Sequence, residues 1–173
     1  MKITESGMEF GEYNEANVFR IEKSSPYKMI RSQGVSCCEF ILLRNDKLFL
    51  IEAKASCPHA ARSNCPTRTE PKNSERTEDF VRKITKKMRH TLEFYSSVLL
   101  KRQPQNGLTD LMREKGLQVK EINPVVVINT NGSGWKIDPE LQTKLQNAFK
   151  PESQIWKSRP IQIINDVTAR KST

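Results

Sequence analysis

The sequence predicts an α/β (α+β) fold, a mixed central β-sheet flanked by helices, and three observations carry that expectation. Residues 35–55 hold two apolar runs with a turn-prone pair between them. Residues 77–102 carry a long amphipathic stripe. The apolar β-type runs 124–129 and 161–167 then bracket a second helical pattern that opens at 138. A chain of 173 residues fits a single domain (1–173) with a core of real size. Its core is expected over about 15–130, with the helix and strand of 138–168 as a C-terminal extension.

The elements follow in order. A short helix is expected over 15–23, with Val18, Phe19 and Glu22 turned inward, and Ser24-Ser25-Pro26 is expected to end it. Residues 27–31 read as a first short strand, followed by a turn at Gln33-Gly34. Residues 35–44 and 47–55 form the hairpin, because Asn45-Asp46 tolerates positive φ. From 57 to 76, Pro58, Pro66 and Pro71 punctuate polar, basic residues without a period, so a long loop is expected. Thr77 is the expected N-cap of the long helix, with Glu78 and Asp79 in its first turn. Phe80, Ile84, Met88, Leu92, Tyr95 and Leu99 form its apolar stripe, and Pro104 and Gly107 follow its end. A short helix over 108–115 precedes the buried strand 124–129 and a turn at Asn131-Gly132-Ser133-Gly134. Asp138-Pro139 opens the next helix, with Leu141, Leu145 and Phe149 inward. Residues 161–167 are a last strand, and 169–173 a loose tail.

Charge narrows the partners. Against 29 Lys and Arg stand 20 Asp and Glu, a net +9, which favours a polyanion, nucleic acid first. The apolar runs are far too short to span a bilayer and no secretory h-region begins the chain, so no membrane partner and a cytoplasmic location are expected. Four cysteines, two of them adjacent, do not suggest a disulfide scaffold in a domain of this size.

The chemistry lies in the hairpin. If Asn45-Asp46 is a two-residue loop, every facing pair sums to 91 and Glu39 lies opposite Glu52. Facing Cβ atoms in an antiparallel pair are about 4.5–5.5 Å apart, where like charges are destabilising. A divalent cation turns that repulsion into ligation, and hard oxygen ligands suit Mg²⁺ or Mn²⁺. Lys54, one strand step beyond Glu52 on the same face, would hold its ammonium near the attacking water or the scissile phosphate. The tripeptide alone is weak: 15 glutamates and 17 lysines give roughly 1.5 Glu-x-Lys matches by chance, and Glu70-Pro71-Lys72 is another. Specificity comes from the strand, the hairpin before it and Glu39 opposite.

With its acid on one strand and Glu-x-Lys on the next, the chain resembles the PD-(D/E)xK nuclease superfamily, which includes restriction-endonuclease-like folds. The resemblance covers about residues 15–130. It implies a core of one helix, three antiparallel strands, a second helix and a further strand. It also implies that Glu39 and Glu52 hold the metal and that Lys54 assists catalysis. An acid on the first helix often completes such a site; Glu22 is the choice here, with Glu15 and Glu12 as rivals. Cys38-Glu39 stands where the family name has Pro-Asp, one methylene longer.

Other candidates are weaker. Cys57, His59 and Cys65, with Cys37 or Cys38, match no common zinc spacing. His90 reads as an exposed or phosphate-facing residue. Arg62, Arg68, Lys72 and Arg76 in the loop, with Lys83, Lys86 and Lys87 on the long helix, are the expected nucleic-acid contacts. Only 12 aromatic residues, without a stacking cluster, favour duplex or structured substrates; DNA is expected ahead of RNA as the partner. The expectation is a Mg²⁺-dependent (or Mn²⁺-dependent) nuclease hydrolysing phosphodiester bonds, with dimerisation or a protein partner setting its targeting. The competing readings are a catalytically inactive nucleic-acid-binding or assembly subunit of the same fold, and a regulatory protein whose metal is structural.

Overall fold

A computed structural model describes residues 1–58, 71–133 and 136–171, without the side chains of 71–74 and 171. Its first element is a hairpin of β1 (Ile3–Glu5) and β2 (Met8–Phe10), closed by Ser6-Gly7 with both residues at positive φ. That geometry is the tight turn that matches strand twist. A single 3-10 turn at Glu15–Asn17 leads into β3 (Val18–Phe19), and another, Ile21–Lys23, into α1 (Ser25–Ile30). The expected helix over 15–23 and strand over 27–31 are therefore both corrected. Val18 and Phe19 pair with Leu42 and Ile41 as an edge strand, a tertiary contact that outweighs local helical spacing. Pro26 starts a helix instead of ending one, because its fixed φ and missing N–H suit the first turn.

The hairpin forms as expected. β4 (Phe40–Arg44) and β5 (Lys47–Lys54) are antiparallel in the register Phe40↔Ile51 to Arg44↔Lys47, with Asn45 and Asp46 both at positive φ. The first strand is shorter than its apolar run, since residues 35–38 are extended without pairing. Next comes α2 (Pro71–Leu99), which starts six residues before Thr77; Thr77 is buried inside the helix and is not its cap. Thr109 caps α3 (Asp110–Lys115) through its side chain. β6 (Glu121–Ile128) runs parallel to β5, and Asp138 caps α4 (Pro139–Trp156) as expected. The last strand, β7 (Gln162–Asn165), is shorter than predicted, and the chain continues as α5 (Asp166–Lys171) where a loose tail was expected.

The five-stranded sheet has the order β3-β4-β5-β6-β7, antiparallel across the first three strands and parallel across the last three. Pro124 is accommodated in β6 because β7 pairs only from Val125 onward, so no partner on that side is denied an N–H at Pro124. One sheet face, with Ile41, Leu43, Leu48, Leu50 and Val126, packs under Ile84, Met88, Leu92 and Tyr95 of α2 and Leu141, Leu145 and Phe149 of α4. The other face, with Phe40, Leu42, Ile51, Val125 and Val127, is covered in part by Ile3, Met8 and Phe10 of the N-terminal hairpin. No helix among the described residues is long and apolar enough to cross a membrane.

Candidate active site

Strand alternation puts Leu48, Leu50, Glu52 and Lys54 on the helix side of β5. Glu39 immediately precedes β4, and its N–H donates at 3.1 Å to the carbonyl of Ile51, the residue that Phe40 already faces. The paired register therefore ends at Phe40↔Ile51, and Glu39 stands one residue off the pairing with Glu52 that a sum of 91 predicts. The segment before it is tied to α2. The Cys38 N–H donates to Thr91 Oγ1 at 2.8 Å, and the Thr91 hydroxyl donates to the Lys87 carbonyl at 2.7 Å. The Ser36 N–H donates to His90 Nδ1 at 3.1 Å. His90 is accordingly half-buried and an acceptor, and burial lowers its pKa. It is not the exposed residue that the sequence suggested.

Beneath α2 the predicted residues come together with one more. Glu52 is fully buried, and the Lys54 ammonium lies 2.7 Å from its Oε1. The Lys87 ammonium, entering from α2, lies 2.9 Å from the same oxygen and donates to Oε2 at 3.1 Å. It is also 3.7 Å from Glu39 and 3.9 Å from Glu22. Of the three N-terminal acids considered, Glu22 is the one that reaches this cluster; Glu12 pairs with the N-terminal amine and Lys2.

Electrostatics follow from the crowding. Burial, then the Glu52 charge, pushes the Glu39 carboxyl up to about 8, and a hydrogen bond with Glu22 adds to the rise. For Lys87 burial works against the charge, but Glu52 and then Glu39 override it and hold the ammonium above its ordinary pKa. Burial likewise pushes the Cys37 thiol up to about 12 and Cys38 well above the ordinary thiol range, so neither is a ready nucleophile.

Among the described residues, no three His, Cys, Asp or Glu side chains converge closely enough to hold a metal ion as they stand. The three carboxylates instead share the Lys87 ammonium. Their chemistry nevertheless suits a hard cation, being all oxygen, and Glu52 Oε1 is fully enclosed while accepting no hydrogen bond. Its two ammonium neighbours approach at ion-pair distance without hydrogen-bond geometry.

The basic residues divide. Arg76, Lys83 and Lys86 are exposed, with Lys83 paired to Asp79 at 2.6 Å. Lys87, expected beside them as a phosphate contact, is turned inward. Arg62 and Arg68, the Lys72 side chain, and the zinc candidates His59 and Cys65 lie outside the described residues. Lys87 had a legible signal: Ile84, Lys87 and Thr91 recur at helical steps, so Lys87 shares the stripe's side of the helix. No protein-family model, curated protein or solved structure matches the chain.

Proposed function

We propose that the chain is a metal-dependent nuclease of the PD-(D/E)xK kind, hydrolysing phosphodiester bonds in nucleic acid, with duplex DNA the favoured substrate. The observation that carries this reading is the convergence of Glu22, from the turn Ile21–Lys23, and Glu39 with Glu52 and Lys54 of β5. A purely stabilising sheet face has no use for two further acids beside a fully buried glutamate. Topology supports it: β3, β4 and β5 are antiparallel, and α2 crosses to β6 beside β5, as in the resembled core. One departure is that α1 falls between β3 and β4 instead of before them.

Glu39 and Glu52, with Glu22 at the open side, would hold Mg²⁺ or Mn²⁺, which when bound supplies positive charge at the scissile phosphate. Lys54 is only partly buried and paired through Glu52, so its ammonium stands ready to stabilise charge that develops on the phosphate oxygens. The exposed cations of α2 would position the nucleic-acid backbone. A second reading, a non-catalytic binding or assembly subunit, is favoured by the Lys87 ammonium, which already neutralises the carboxylates.

Purified protein incubated with plasmid, linear duplex and RNA, with Mg²⁺, Mn²⁺ or EDTA, separates the two. Metal-dependent cleavage is expected, reduced about a hundredfold or more in Lys54→Ala, the scale for losing one charge-stabilising group. Nucleic-acid binding should survive that change. Glu52→Gln should lose both cleavage and the gain in thermal stability on adding metal. If the wild type cleaves nothing under any divalent metal, the catalytic reading fails and the binding subunit takes its place.

A further inference from the structure

Lys87 does something that the carboxylate-and-lysine set does not explain. Among the described residues Lys54 pairs with Glu52, whereas the Lys87 ammonium lies within 4 Å of Glu22, Glu39 and Glu52 together. Its side chain is 19% exposed, against 69% for Lys83 on the same helix, so it is placed inward and not draped over a surface. Yet the fit is loose. It reaches Glu52 at hydrogen-bond distance but stands 3.7 Å from Glu39 and 3.9 Å from Glu22. Glu52 Oε1, wholly enclosed, still accepts no hydrogen bond. Smaller cations draw carboxylate oxygens to about 2.0–2.1 Å and need no donor angle from them.

We infer that Lys87 is a displaceable counterion: its ammonium occupies the position among Glu22, Glu39 and Glu52 that a divalent cation takes over, so metal binding is a cation exchange. The inference rests on the metal-site reading above and adds to it a residue that opposes loading. Three properties make the exchange workable. The ammonium sits on a flexible four-carbon stem and is a compact point charge. Glu22, 43% exposed, marks an open side toward which it can withdraw. Without its charge, the buried Glu52 would keep Lys54 alone as a counterion among the described residues, so the lysine lets the site fold before metal arrives. The cost is affinity, since metal must displace an ion pair already made.

Two measurements on the full chain test this without relying on cleavage. The first titrates Mn²⁺ by calorimetry into wild type, Lys87→Met and Glu52→Gln. Lys87→Met removes the ammonium while keeping an unbranched stem, and should bind Mn²⁺ at least tenfold more tightly, whereas Glu52→Gln should lose binding. Equal or weaker binding in Lys87→Met, with the wild type still binding through Glu52, overturns the exchange and leaves the metal site standing. Absence of Glu52-dependent Mn²⁺ binding in both proteins overturns the metal reading and the exchange together. The second keeps the wild-type fold and acetylates lysines with a succinimidyl ester, mapped by mass spectrometry. Saturating Mg²⁺ should raise labelling of Lys87 several-fold and leave Lys83 and Lys86 unchanged. Constant Lys87 labelling at saturation overturns the proposal even if Lys87→Met does not fold.

Discussion

Glu39 is the residue through which pH acts on this cluster. Its carboxyl, raised from an ordinary value of 4.5 to about 8 by burial and by Glu52, keeps in the folded state a proton that the unfolded chain has released. Because the folded pKa lies above the unfolded one, the associated stability is fully present below about pH 4.5. It is lost as pH climbs through about 8. Metal-free protein should therefore unfold more easily in urea at pH 8.5 than at pH 5.5. Glu39→Gln, neutral at every pH, should flatten that difference and exceed the wild type at pH 8.5 by about 1–2 kcal/mol. An unchanged pH profile in Glu39→Gln would assign the dependence to another group. A metal that binds Glu39 must also displace this proton, so at pH 7 its calorimetric heat should vary with the ionisation enthalpy of the buffer.

At the scale of elements, α2 decides where the site's cations point. Ile84, Met88, Leu92 and Tyr95 are completely buried against the sheet, which fixes the helix's rotation. Lys87 then faces the carboxylates and Lys86, one step round, faces solvent. Met88→Ala should cost about 2–5 kcal/mol in urea denaturation, the range for truncating a fully buried methionine. Lys86→Ala should stay within about 0.5 kcal/mol. A comparable loss for both would mean that the apolar stripe does not set the helix's orientation. The N-terminal hairpin braces the same region from the other face. Ser6 Oγ donates to the Ala53 carbonyl at 3.1 Å, and Asn129 Nδ2 to the Ser6 carbonyl at 3.0 Å. The turn of β1 and β2 thus clamps the strand ends just where β5 presents Lys54.

For the whole molecule the governing quantity is the +9 charge and its distribution. With Lys87 committed to the interior, the expected nucleic-acid contacts that stand exposed among the described residues are Arg76, Lys83 and Lys86. Binding to duplex DNA in EDTA should weaken steeply with salt, and replacing those three by Gln should flatten the log–log slope by up to about 2.7, near 0.9 per lost phosphate contact. Lys87→Gln alone should leave the slope unchanged, since an ammonium held by carboxylates releases no DNA counterions. A slope indifferent to the triple change would move the nucleic-acid surface elsewhere on the molecule.

The hairpin and the residues it carries were legible because their causes are local. Asn45-Asp46 sets the turn, the turn sets a register summing to 91 from Arg44↔Lys47 to Phe40↔Ile51, and strand alternation then puts Glu52 and Lys54 on one face, with Glu39 just past the register's end. The apolar stripe of α2 and the Asp138 cap of α4 were legible for the same reason. Residues 15–31 were not: Val18 and Phe19 have helical spacing, but pairing with β4 is worth more to so short a segment than one helical turn. The Ser6-Gly7 hairpin carried a turn signal, yet three-residue strands are stable only against the sheet they cover. Lys87 marks the boundary most clearly. Helical periodicity places it on the inner side of α2, but only the packing of α2 over β4 and β5 brings it to three carboxylates from separate segments. A lysine's destination depends on which charges the fold delivers to it, and those lie 35, 48 and 65 positions away in the chain.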